Sequence, residues 1–204
     1  MIQIITDNNI KNAVNLWYYN KNKAIEIFGH ISEWDVSLVS NMSNLFKSKV
    51  NFNDDISNWD VSNVIDMSGI FNDTRLFNQP IGKWKVSKVT NMERMFCGAN
   101  SFNQPINNWD VLNVTNMSFM FSKAKSFNQP INNWDVSNVT DMSYMFYRAD
   151  SFNQDLSSWN VSNVTNMEGM FFHAESFNQS LDNWDVSKVT NMESMFYYAR
   201  STSK

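Results

Sequence analysis

Large apolar residues return along this chain with a fixed period of 25 residues, and the polar residues between them return with the same period. Tryptophan marks the register at Trp34, Trp59, Trp84, Trp109, Trp134, Trp159 and Trp184. Three residues earlier stands an aliphatic column running from Ile31 to Leu181, and two residues later a valine column running from Val36 to Val186. A second valine column (Val39 to Val189) and a methionine column (Met42 to Met192) follow. Next come Leu45, Ile70 and Met95 to Met195, then phenylalanine from Phe46 to Phe196, and a second phenylalanine column from Phe52 to Phe177. Trp and the Val two residues on share one face of a short strand. From the second Val the apolar positions step by three, three, one and three, the spacing of one face of a short helix. Thr before the Asn-Met pair, as at Thr165, suits an N-cap, and Pro80, Pro105 and Pro130 precede the strand rather than interrupt it. Each copy therefore reads as strand, turn and short helix. A unit of this size cannot bury so many large side chains alone, whereas stacked copies can. The pattern predicts an α/β fold: a leucine-rich-repeat-like, right-handed solenoid of seven 25-residue repeats, helices outside and strands inside. A pure β-helix is the alternative.

Residues 1–30 do not repeat. Asp7 is placed to cap a helix with Ile10, Val14 and Trp17 on its apolar face, and a second segment, residues 23–28, stops at Gly29. The expected organisation is a helical cap over residues 1–30, the array over 31–201, and a tail at 202–204. Trp184, Val186, Met192, Met195 and Phe196 have no eighth copy after them, which predicts dimerisation through residues 184–200 with Tyr197 and Tyr198 at the contact.

Composition narrows the function classes. The chain has 204 residues, is 43% hydrophobic and carries a net charge of −4, with no basic stripe of the kind a nucleic acid needs. A single cysteine, Cys97, excludes an internal disulfide framework. No apolar run is long enough to span a membrane, and the first twenty residues lack the pattern of a secretory signal, so an intracellular or virion-associated location is favoured over secretion.

Candidate chemistry is sparse. Asn53, Asn78, Asn103, Asn128, Asn153 and Asn178, each followed by Asp or Gln, read as a ladder that fixes turn backbones. The carboxylates after Trp (Asp35, Asp60, Asp110, Asp135, Asp185), broken by Lys85 and Asn160, could attract a cation, but their closer role is to hold the turn that follows through Ser137 and its equivalents. His30 and His173 occupy unrelated positions and have no nucleophile beside them, so no catalytic, cofactor or metal site is expected. Variable positions ten and thirteen residues after Trp are the better place for a binding face. There Phe119, Tyr144, Tyr147, Phe172, Tyr197 and its neighbour Tyr198 gather in the last four copies, and exposed aromatic clusters mark interfaces. Aromatic padding along the core flank is the competing account.

The text FNQPINNWDVSNVTDMSYMFYRADS from Phe127 to Ser151 closely resembles the repeat of BspA-like bacterial surface proteins, over Ile31 to Ser201. Similar arrays occur in large DNA viruses, and the run Phe28, Gly29, His30, Ile31, Ser32 resembles the entry to those virus-type arrays. The resemblance implies a leucine-rich-repeat-like interaction module without catalytic residues. The expected function is protein–protein interaction, including with a host; the alternative is a structural or virion component that self-assembles.

Overall fold

The structure, a computed structural model, describes residues 2–199, so the expected tail at 202–204 lies outside the described residues. Two helices open the chain, α1 at Ile10–Tyr19 and α2 at Lys21–Phe28. Ile10, Ala13, Val14 and Trp17 form the buried face of α1. Asn20 caps α2 by accepting from the Lys23 amide at 3.1 Å, and Gly29 stops it at φ 78°. Asp7 does not cap α1. Its carboxylate reaches the first repeat instead, accepting from the Ser40 amide at 2.9 Å, the Ser40 hydroxyl at 2.8 Å and the Asn41 amide at 3.0 Å.

After a single 3₁₀ turn at Ile31–Glu33, the rest of the described chain holds neither a strand nor a helix. This overturns the α/β strand–turn–helix solenoid. Each 25-residue repeat is instead a coil of consecutive tight turns, stacked on its neighbours through isolated parallel bridges from Asn41↔Asp66 to Asn166↔Asn191. The physical reason lies where the helix was expected. Two residues in each coil, ten and fourteen after Trp, take left-handed φ, as at Phe119 (56°) and Lys123 (59°). A left-handed residue interrupts a right-handed helix. Amides then alternate in role: Phe119 and Phe121 donate across to Ser143 and Met145, while Met120 and Ser122 donate back three residues to Met117 and Phe119. Apolar residues at the helical spacing still face inward, because each tight turn returns the chain to the same side.

Both sides of the coil therefore stack at similar distances. Rings of the first Phe column lie 5.6 Å apart at Phe96–Phe121, those of the second 6.0 Å at Phe102–Phe127, and tryptophans 6.4 Å at Trp109–Trp134. A helix layer would have needed roughly 10 Å on one side. Every Trp from the second coil on donates its indole N–H to the carbonyl of the aliphatic residue in the coil before, as Trp134 does to Ile106 at 3.1 Å. Trp34 finds the equivalent acceptor in the cap, Gly29 O at 3.0 Å.

Candidate interaction surface

Left-handed backbone suits Gly or Asn, and the tenth position uses Asn44, Gly69 and Gly169 in three coils. In the third to fifth coils the same position holds Arg94, Phe119 and Tyr144, at φ 55°, 56° and 54°. Their side chains lean toward the following coil and meet one another. The Arg94 guanidinium lies 4.5 Å from the Phe119 ring centre, and Phe119 stacks on Tyr144 at 4.9 Å. Gly169 leaves room for the Tyr144 ring, since a Cβ there would come within 2.4 Å of it.

From Tyr144 the run of rings crosses to the thirteenth position: Tyr147 at 6.0 Å, Phe172 a further 5.5 Å on, then Tyr197 at 5.1 Å and Tyr198 at 4.3 Å. All six residues singled out from the sequence thus join one continuous aromatic stripe. Phe119, Tyr144, Tyr147 and Phe172 are half-buried, while Tyr197 and Tyr198 are exposed. The sequence reading missed His173, packed 4.5 Å from Tyr198, and the flanking cations Arg94 and Lys123. Their common signal is the pair of left-handed positions, which the amino-acid types do not announce.

Charge along the stripe is local. The Tyr144 hydroxyl donates to Glu168 Oε1, and this bond is the main reason its phenol is pushed up to about 12. Asn191 donates to the other carboxylate oxygen at 3.0 Å. Cys97 is half-buried, and burial raises its thiol pKa, so it is a poor nucleophile.

The polar columns are occupied in the stack. From Asn53 to Asn153, each Asn of the FN ladder accepts from the amide of the next Asn, as Asn103 does from Asn128 at 3.0 Å, and from the following Gln side chain, as from Gln129 at 3.0 Å. Asp35, Asp60, Asp135 and Asp185 each accept from the Ser amide two residues on. Among the described residues no group of three His, Cys, Asp or Glu side chains is arranged to hold a metal. The hollows beside Trp84 and Trp134 are shallow and open. No helix of the described chain is long and apolar enough to cross a membrane.

A family model described as Mycoplasma protein of unknown function, DUF285, matches residues 14–129 and 102–204. No curated protein and no solved structure matches the chain.

Proposed function

The chain belongs to this DUF285 family, a repeat family related to BspA-like proteins, and we propose that it is a non-enzymatic protein-interaction module whose contact surface is the aromatic stripe. One observation carries the reading. Arg94, Phe119 and Tyr144 sit in left-handed backbone that Gly69 and Gly169 occupy freely in neighbouring coils. Left-handed φ costs a residue with a side chain about 1–2 kcal/mol. Ring stacking along the stripe returns part of that cost; a partner that buries the rings supplies a reason for the rest. Large, rigid aromatic and Arg side chains are the types that dominate interface energetics. The BspA-like resemblance supports a protein on a host cell as the partner.

The double variant Tyr147→Ser, Phe172→Ser tests this, because both rings lie outside the buried columns. Chemical cross-linking in host-cell extract should capture a partner with the parent chain and lose it with the variant, which should still unfold in a single cooperative transition. Equal capture by both chains would refute the reading.

Assembly of the chain with copies of itself is the second reading, and a separate observation favours it. Val186, Met192 and Phe196 in the seventh coil are 37%, 42% and 37% exposed, whereas the same columns are essentially closed in earlier coils. Light scattering over a concentration series separates the two: a mass that rises with concentration supports assembly, and a constant monomer mass removes it.

A further inference from the structure

The way the rings of the aromatic stripe stack limits the chemistry of what they meet. Phe119 sits between the Arg94 guanidinium at 4.5 Å and the Tyr144 ring at 4.9 Å, with 15° between the two ring planes. The Tyr144 ring also lies against Gly169, within 2.4 Å of where a Cβ would stand. Rings stacked in this way along the array cover one another's faces and leave their edges to solvent. An aromatic edge carries the positive part of the ring's quadrupole and the face the negative part. A stacking nucleobase or an ammonium group needs a free face, and Phe119 and Tyr144 offer none. A carboxylate meets the edges favourably.

The charges beside the rings point the same way. Glu93 is paired with Arg94 at 2.5 Å, Glu168 accepts from the Tyr144 hydroxyl and Asn191, and Asp150 lies 3.9 Å from the Lys125 ammonium. Lys123 and Arg148 are left, one coil apart and both exposed, and among the described residues neither makes an ion pair. Both stand fourteen residues after Trp at left-handed φ, 59° and 52°, where the third coil has Gly98. The Lys123 ammonium reaches to 5.8 Å from the Tyr147 ring, so the cations flank the stripe. Glu175, exposed in the sixth coil, ends this cationic stretch. Ring centres of the fourth and fifth coils lie 5.7 Å apart at Phe121–Phe146. An extended chain sets alternate side chains roughly 6.6 Å apart on one face, close to one per coil. Resting on the reading of the stripe as a contact surface, we infer that it binds an extended acidic segment of another protein, with alternate carboxylates on Lys123 and Arg148 and against the ring edges.

The test uses the full chain and fluorescent peptides, about ten residues long, of alternating Glu and Thr or alternating Lys and Thr. The Glu–Thr peptide should bind at least about tenfold more tightly than the Lys–Thr peptide. Its binding should weaken as salt rises to about 1 M, where charges are screened beyond roughly 3 Å. Lys123→Gln with Arg148→Gln, which removes both charges, should weaken it at least about tenfold. Lys123→Glu with Arg148→Glu should reverse the preference between the peptides. Equal binding of the two peptides by the parent chain, or none, overturns the inference, and this comparison needs no variant to fold. Oligothymidylate that binds as tightly as the Glu–Thr peptide also overturns it. Cross-linking in host-cell extract separates this failure from failure of the stripe itself. Capture that Tyr147→Ser, Phe172→Ser abolishes and Lys123→Gln, Arg148→Gln preserves keeps the contact surface and removes the acidic partner.

Discussion

Asp135 accepts from the Ser137 amide at 3.0 Å, and the Ser137 hydroxyl and amide together hold its carboxyl below the ordinary 3.8. Asp35, Asp60 and Asp185 are held low in the same way by Ser37, Ser62 and Ser187. A carboxyl whose pKa is lower in the folded chain binds fewer protons there than when unfolded. Its contribution to stability is therefore complete above 3.8 and is lost as pH falls through the lower folded value. The melting temperature should fall on acidification below about 3.8, and Asp135→Asn should make that fall shallower by slightly lowering the neutral value while leaving the acid value unchanged. Asn160 shows why: an amide oxygen holds the same turn, accepting from Ser162 at 3.2 Å, and does not titrate in this range. An Asp135→Asn chain whose melting temperature falls as steeply on acidification as the parent's would refute this account. These side-chain bonds were legible in the sequence as an Asp or Asn two residues before a Ser. The engagement of Asp7 with Ser40 was not, because it joins residues 33 apart and depends on how the cap lies across the array.

Within one coil, tryptophan has two duties. Its ring is buried against neighbouring tryptophans, and its indole N–H meets a carbonyl one layer back. Trp134→Ala in a central coil should cost about 3–5 kcal/mol from lost burial and the cavity left behind. The same change leaves the Ile106 carbonyl without its indole donor. Trp34→Ala should cost a similar amount, since Trp17 and Phe28 pack on Trp34 at 6.1 and 5.8 Å and Gly29 accepts its N–H. Small losses at both sites in chemical denaturation would mean that tryptophan does not form the core column. Column identity and burial could be read from period and residue type, because the interior admits only large apolar side chains there. The backbone between them could not. A helix and a series of tight turns both bring residues three apart to one side, so Met117, Met120 and Phe121 fit either. What decides is left-handed φ at the tenth and fourteenth positions, which here hold Arg94, Phe119, Lys123 and Tyr144 as well as glycine.

Among the described residues, the first coil is fastened by the cap, whereas the seventh has no described coil over its forward face. Coils in such a stack touch only their neighbours, so opening starts where a layer lacks one. At the first coil, the three bonds from Asp7 and the Gly29 carbonyl supply what an earlier coil would have supplied. At the seventh, Val186, Met192 and Phe196 are uncovered. Amide protection should therefore be lowest in the seventh coil, rise toward the centre and stay high in the first. Asp7→Ala should change only one end. It removes the acceptor of the solvent-accessible Ser40 and Asn41 amides, which water can replace, a net loss of about 0.5–1.5 kcal/mol per bond. Exchange at those two amides should accelerate while the Trp109 and Trp134 coils keep their protection. If Asp7→Ala weakens all seven coils equally, the stack opens as a single cooperative unit, and the cap is part of one core rather than the fastening of its first layer.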